Sequence, residues 1–106
     1  MSALLYRARD STPTVLAPVV AQVWRDGTRQ ARLARYLRTA VDIVAYDDQL
    51  ARRAGELLAA TGLSDAIDAG VALLAHRVGG VVVTSDRDDL ELLAGALADP
   101  PTIVTV

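Results

Sequence analysis

Short apolar segments that suit β-strands alternate with helical patterns along this chain, and this alternation constrains its fold more than any other feature. The strand candidates are 14–18, 41–46, 81–85 and 102–106. The third of them, VVVTS, is a β-branched run of the kind found in buried parallel strands. Because parallel strands need a long crossover between them, the intervening helices predict a parallel sheet flanked by helices. We therefore expect an α/β fold in a single domain, residues 1–106.

Capping and turn residues predict where the helices begin and end. A helical pattern starts after Pro18 and continues to residue 38, in two pieces separated near Gly27. The next helix is expected to begin at Asp47 or Asp48 and to stop at Gly62. The helix after it is expected to begin at Ser64 and to stop at Gly79-Gly80, and Asp86 is the expected cap of the last helix. The first segment, MSALLYRARD, looks like the end of a strand that passes directly into a helix.

Composition excludes several kinds of chemistry. The chain has no cysteine, so neither disulfides nor thiolate ligands are available. His76 is the only histidine, which excludes a zinc site built from several histidines. Lysine is absent, whereas receiver domains, which also gather aspartates at strand ends, rely on a lysine. No glycine-rich phosphate-binding motif occurs, and no apolar run is long enough to cross a membrane, so a cytoplasmic protein is expected.

Two carboxylates three residues apart, Asp65 and Asp68, stand at the start of the apolar segment SDAIDAGVALL. Acidic residues in the first turn of a helix complement its dipole, which is the ordinary explanation for both. On a helical wheel, however, Asp68 lies beside an apolar stripe that includes Ile67 and Val71, where an uncompensated carboxylate is costly to bury. A divalent cation would offset this cost, and so would Arg77 or another arginine. The two explanations are left open by this helix alone.

Asp86 directly follows the strand candidate 81–85. In an open parallel sheet, ligands bind beyond the carboxyl ends of the strands, although capping the next helix is the more ordinary role for an aspartate there. Carboxylates that converge at this edge suit Mg²⁺ or Mn²⁺, which take oxygen ligands, bridge to phosphate oxygens and activate water for attack on a phosphodiester. The acids that follow, Asp88, Asp89 and Glu91, are explained as first-turn residues with no catalytic role.

Charge is unevenly distributed along the chain. Residues 1–53 contain nine arginines against five acids, whereas residues 54–106 contain two arginines against eight acids. On the helical pattern before residue 38, four arginines gather on one side: Arg25, Arg29, Arg32 and Arg35. Such a side is suited to binding a polyanionic phosphodiester backbone, and charges of this kind also simply solvate a helix. Trp24 is expected to lie in the core rather than to stack on bases.

Three segments together resemble PIN-domain proteins, in particular the VapC-type ribonuclease toxins of bacterial toxin–antitoxin pairs. They are VLAPVVAQVWRDGTRQARLARYL, ARRAGELLAATGLSDAIDAGVALLA and VVVTSDRDDL, and they occur in the expected order over nearly the whole chain. The resemblance implies an α/β fold around a parallel sheet, in which four acidic residues bind Mg²⁺ or Mn²⁺ and cleave RNA. It makes Asp68 and Asp86 the catalytic, metal-binding residues, with Asp65 as an auxiliary metal ligand.

Two positions depart from that family's pattern. Its early acidic position falls on Gln22, whose amide retains one carbonyl ligand but carries no charge. Its first aspartate ends a first strand just before a segment like SALLYRARD, and here only Met1 precedes that segment. The expected fold is therefore PIN-like with the first strand truncated. Since losing a central strand would leave unpaired backbone groups on both neighbours, we expect that the natural polypeptide, or its ancestor, began several residues earlier.

The sequence supports two functions of different classes. One is a metal-dependent endoribonuclease resembling a VapC toxin, in which Asp68 and Asp86 hold the ion and the arginine side binds RNA. The other is a catalytically inactive PIN-like module that binds RNA or a protein partner, which the missing first aspartate and Gln22 favour. By resemblance alone, a homodimer and a cognate antitoxin are also expected.

Overall fold

In a computed structural model of the chain, the described residues are 3–7, 13–25, 42–84 and 87–105. They form, in chain order, β1 (Ala3–Arg7), β2 (Pro13–Leu16), α1 (Ala17–Arg25), β3 (Asp42–Val44), α2 (Asp48–Thr61), α3 (Ala66–Val78), β4 (Gly80–Thr84), α4 (Asp88–Gly95) and β5 (Thr102–Thr105). The alternation of strands and helices confirms the predicted α/β class.

The five strands form one sheet in the order β3-β2-β1-β4-β5. β2 runs parallel to β3, and β4 runs parallel to β5. β1 lies in the centre and pairs antiparallel to both β2 and β4. The four other strands therefore run in one direction, and their carboxyl ends share one edge of the sheet, which we call the carboxyl edge.

The direction of β1 differs from the prediction. The sequence predicts a parallel sheet with a truncated first strand that leads into a helix, but Ala3–Arg7 forms a five-residue strand at the centre of the sheet. Its register with β4 runs from Ala3 opposite Thr84 to Arg7 opposite Gly80. This pairing supplies hydrogen-bond partners to β4 along its whole length, so the sheet is mixed and its centre is not left open.

Glycines with positive φ end two of the helices, as predicted. α2 begins after its N-cap Asp47, whose carboxylate accepts the N–H of Leu50 at 2.8 Å, and it ends at Gly62, where φ is 73°. α3 ends at Gly79, where φ is 64°. In both glycines the backbone N–H donates to a carbonyl of the last helical turn, a conformation that residues with a Cβ adopt at a cost.

Two other predicted boundaries are wrong. The residue at the N-cap position of α4 is Arg87, which makes no side-chain capping bond, and not Asp86, which lies outside the described residues. Pro18, predicted to end the strand 14–18, is instead the second residue of α1. Proline is tolerated in a first helical turn because the N–H that it lacks would have no partner there.

The middle of α3 is buried on every side. Every residue from Asp68 to Ala75 is buried, which is more than the single apolar stripe that the wheel predicts. α3 packs against α2 and α4 and against the strands β1, β2 and β4. Around it lie the largest fully buried side chains of the other elements, among them Leu16, Leu90, Leu93, Val15, Val19 and Val82. The core is thus organised around this one helix.

Some large apolar side chains are exposed. Trp24 on α1 is 51% exposed and Ile43 on β3 is 54% exposed, so the expectation of Trp24 in the core is wrong. The two residues line an open apolar groove together with Ala17, Val20 and Ala21. Within the described residues, no single helix is long and apolar enough to cross a membrane, and α2 with α3 meets that length only across a bend of 107°.

Substituting Gly70 should destabilise the protein, because α3 is seated closely at this residue. A Cβ added to Gly70 would lie 2.6 Å from Cε2 of Tyr46 and 2.8 Å from Cδ2 of Leu16. Overpacking of this kind costs about 1–3 kcal/mol, so Gly70→Ala should lower the free energy of unfolding in urea by about that amount. Gly55 on α2 has nothing within 4 Å of such a Cβ. Gly55→Ala should therefore stabilise the protein by roughly 0.5–1 kcal/mol, and equal effects of the two changes would contradict the close packing at Gly70.

Candidate functional site

The first turn of α3 lies at the carboxyl edge of the sheet. Leu16 is the last residue of β2, and Tyr46 follows the end of β3 by two residues. Both side chains lie against Gly70 of α3. The hydroxyl of Tyr46 also donates a hydrogen bond to the backbone carbonyl of Ala66, the first residue of the helix. The start of α3 therefore packs against the carboxyl ends of two parallel strands.

Asp68 is buried in this first turn, with 4% of its surface exposed. The first-turn acids of α4, Asp88 and Asp89, are exposed, as residues that only complement a helix dipole usually are. The wheel prediction that Asp68 borders the core is thus confirmed. Arg77 is not its counterion, because it is exposed in the last turn of α3, roughly 13 Å away along the helix axis.

Asp65 is exposed and caps α3. One oxygen of its carboxylate, Oδ1, accepts the backbone N–H of Ile67 at 3.0 Å and the backbone N–H of Asp68 at 2.9 Å. The predicted cap, Ser64, is therefore wrong by one residue. Both residue types are good N-caps, and the longer carboxylate of Asp65 reaches two donors of the first turn. Asp65 thus has a structural role next to Asp68, and its assignment as an auxiliary metal ligand stays a prediction.

Gln22 lies on α1 and is partly buried. Its carbonyl oxygen Oε1 is buried and accepts no hydrogen bond from the described part of the chain. A buried amide oxygen without a donor is costly, and a cation or a bound water would reduce this cost. Gln22 therefore offers a neutral oxygen ligand, of the kind that the sequence predicts for this position.

The predicted metal ligands do not all fall within the residues that the structure describes. Within residues 3–7, 13–25, 42–84 and 87–105, no group of three or more acidic, histidine or cysteine side chains could hold a metal ion. Asp86 lies outside these residues, so the predicted meeting of Asp68 and Asp86 stays a prediction. The buried carboxylate of Asp68 and the buried amide oxygen of Gln22 are oxygen ligands of the types that Mg²⁺ and Mn²⁺ take, and these ions complete their coordination with water.

Only one of the predicted RNA-binding arginines lies on a described element. Arg25 is exposed in the last turn of α1, three residues after Gln22. The other predicted members, Arg29, Arg32 and Arg35, lie outside the described residues. A basic surface along this part of the chain stays a prediction.

Tyr46 is a residue of the site that the sequence analysis did not identify. Burial raises the pKa of its phenol above the ordinary value of 10.0, and the nearby carboxylate of Asp65 raises this pKa further. The available signal was an aromatic residue with a polar group at the end of a predicted strand, combined with a glycine inside an apolar helix. Neither feature alone indicates that the two residues meet.

Removing the carboxylate of Asp65 should test its role as a cap. Asp65→Ala should lower the free energy of unfolding by about 1 kcal/mol, because the N–H groups of Ile67 and Asp68 lose their acceptor. Asp65→Asn retains an acceptor oxygen and should leave stability within a few tenths of a kcal/mol of the wild type. Urea unfolding followed by circular dichroism measures both changes, and equal losses in the two variants would argue against capping.

Alkaline pH should destabilise the wild type more than Tyr46→Phe. Because the folded protein has the higher pKa at Tyr46, it holds the phenolic proton where the unfolded chain has begun to release it. This contribution is fully present below the unfolded pKa and is lost as the pH rises through the folded pKa. The free energy of unfolding, measured in urea from about pH 9 to about pH 11, should therefore fall more steeply in the wild type. Parallel pH profiles would contradict this role of Tyr46.

Comparisons with known proteins identify the family. A family model described as PIN domain matches residues 5–96, which extend from β1 to just beyond α4. Comparisons with curated proteins and with solved structures give no match. PIN domains are generally nucleases and typically use divalent metal ions. The predicted PIN-like fold is confirmed, and since the match covers most of the 106 residues, the chain belongs to the PIN-domain family.

Proposed function

We propose that this chain is a metal-dependent endoribonuclease of the VapC type, which hydrolyses RNA phosphodiester bonds with Mg²⁺ or Mn²⁺. The observation that carries this proposal is the burial of Asp68 in the first turn of α3, at the carboxyl edge of the sheet. A carboxylate that only complements a helix dipole stays in water, whereas a metal ligand is held by the fold in a partly dehydrated place. Ligand sites of open parallel sheets lie at this edge.

In the proposed site, Asp68 and Asp86 hold the ion as the catalytic residues. Gln22 contributes a neutral oxygen, and Asp65 stays an auxiliary ligand that also caps the helix. When bound, the divalent ion supplies an activated water and stabilises the charge that develops on the phosphate. The protein's contribution is to hold the carboxylates of Asp68 and Asp86 at a fixed separation.

The proposed substrate is RNA, bound along the basic first half of the chain. Residues 1–53 have a net charge of +4, and the predicted contacts to the phosphate backbone are Arg25, Arg29, Arg32 and Arg35. Phosphate contacts fix the position of a strand without reading its sequence.

A cognate antitoxin and a homodimer are the proposed protein partners. Their support in the structure is the exposed apolar groove that Trp24 and Ile43 line, since contiguous exposed apolar surface is typical of interaction sites. The cytoplasm is the proposed location.

The second candidate function is a catalytically inactive PIN-like module that binds RNA or a protein partner. Gln22 favours it, because an amide at the family's early acidic position gives the ion one charge fewer. β1 favours it too, because the strand that fills the centre of the sheet begins at the carboxyl edge and so brings no terminal aspartate there.

Asp68→Asn separates the two functions. If Asp68 holds the ion, this variant should lose RNA cleavage in Mg²⁺ by at least about 100-fold, more than the loss of a ligand's supporting partner typically costs. The matched control is Asp99→Asn, which removes one exposed carboxylate at a residue with φ of 52°, a conformation that asparagine tolerates. The control should cleave like the wild type, and far-UV circular dichroism should show that both variants are folded.

Three results bear on the choice between the two functions. The nuclease is supported if a chelator abolishes cleavage by the wild type, and if Asp68→Asn loses cleavage in Mg²⁺ while Asp99→Asn retains it. Full activity of Asp68→Asn would remove Asp68 from the site. RNA binding without cleavage, with a melting temperature that millimolar Mg²⁺ leaves unchanged, would support the inactive module, because an ion that binds the folded state raises that temperature.

A further inference from the structure

We propose that Tyr46 is a positioning residue for Asp68, which acts through the first turn of α3. The inference rests on the proposed metal site and adds a residue to it. Two contacts carry it: the Tyr46 hydroxyl donates to the carbonyl of Ala66, and the Tyr46 ring lies against Gly70. Both contacts are on the helix that carries Asp68, on either side of it in the sequence.

The two contacts support the face of the turn that lies opposite Asp68. Ala66 and Gly70 are four residues apart, so they share one face of the helix. Asp68 follows Ala66 by two residues, which is about 200° around the helix axis. Tyr46 therefore contacts the side of the turn opposite the side that carries the Asp68 carboxylate.

Tyr46 and Asp65 hold the turn in different ways. Asp65 accepts the N–H of Asp68 at 2.9 Å from a position three residues away, so this bond fixes the local shape of the turn and moves with it. Tyr46 stands twenty residues before Ala66, on the segment that follows β3. Its bond therefore fixes where the turn lies relative to the sheet. Only a contact of this second kind can set the position of Asp68 relative to residues that follow other strands.

The packing at Gly70 leaves the start of α3 little room to move relative to the sheet. A Cβ at Gly70 would come within 2.6 Å of the Tyr46 ring and within 2.8 Å of the end of Leu16, so helix, ring and strand leave no spare space between them. Tyr46→Phe retains the ring that fills this space and removes only the hydroxyl. The turn then loses one anchor without gaining a cavity, and ligands displaced by about 0.5 Å bind a metal ion less well.

The experiment measures Mn²⁺ affinity by the electron paramagnetic resonance signal of the free ion during titration, on the full chain. Tyr46→Phe should raise the Mn²⁺ dissociation constant about 3- to 10-fold, at or below the lower end of what losing a ligand's supporting partner costs. The matched control is Thr61→Val, which also removes one hydroxyl that donates to a helix carbonyl, that of Leu57 at 2.9 Å in α2. It should lower the melting temperature to a similar extent and leave the Mn²⁺ dissociation constant unchanged.

Asp68→Asn distinguishes failure of this inference from failure of the proposed site. The positioning role is supported if the wild type binds Mn²⁺ and Asp68→Asn abolishes this binding, while Tyr46→Phe weakens it and Thr61→Val leaves it intact. Binding that depends on Asp68 but is equal in Tyr46→Phe and the wild type, or equally weakened by Thr61→Val, overturns the positioning role and retains the metal site. Mn²⁺ binding that is absent in the wild type, or unaffected by Asp68→Asn, overturns both.

Discussion

The rest of the structure depends on the burial of the middle of α3, from Asp68 to Ala75. A helix with one apolar stripe is fixed on one side only, whereas α3 is enclosed by α2, α4 and the sheet from Asp68 to Ala75. Small residues make this possible, because Gly70 lets the ring of Tyr46 and the side chain of Leu16 approach the helix axis. The same packing that stabilises the core fixes the position of the first turn of α3, which carries Asp68. Stability and the geometry of the candidate site are therefore set by one set of contacts.

The centre of the sheet shows how strongly backbone hydrogen bonding constrains the fold. β2 and β4 run in the same direction, and β1 satisfies both of them by antiparallel pairing. In this direction the strand begins at the carboxyl edge, where Ala3 is opposite Thr84, and ends with Arg7 at the other edge. A parallel strand would end at the carboxyl edge and could bring a terminal aspartate there. The centre of the sheet is thus paired on both sides, while the candidate site gains no acidic residue from the central strand.

Local signals account for the parts of the fold that the sequence predicts. Gly62 and Gly79 are predictable helix ends, because the ability to adopt a positive φ is a property of glycine itself. The burial of Asp68 is predictable from its angular position among apolar neighbours on the helix. The direction of β1 is not a local property, since an apolar segment pairs in either direction and only its neighbours decide. The shift of the cap from Ser64 to Asp65 has a different origin, because two adjacent residues that are both good caps differ only in which N–H groups they reach in the folded turn. The contact between Tyr46 and Gly70 joins residues on different elements, and no spacing rule predicts it.

Gln22 changes the electrostatics of the proposed site in a way that affects substrate as well as ion. Four carboxylates around a divalent cation leave a net negative charge that repels a phosphodiester, and an amide in place of one carboxylate reduces that charge by one. A site with one charge fewer and a neutral oxygen would hold the ion less tightly, but it would also repel an approaching phosphate less. Mg²⁺ suits such a site because it commonly retains several waters and is completed by substrate oxygens. In the proposed arrangement the ion and the RNA would bind cooperatively, and the main contribution of the protein would be the precision with which α3 positions Asp68.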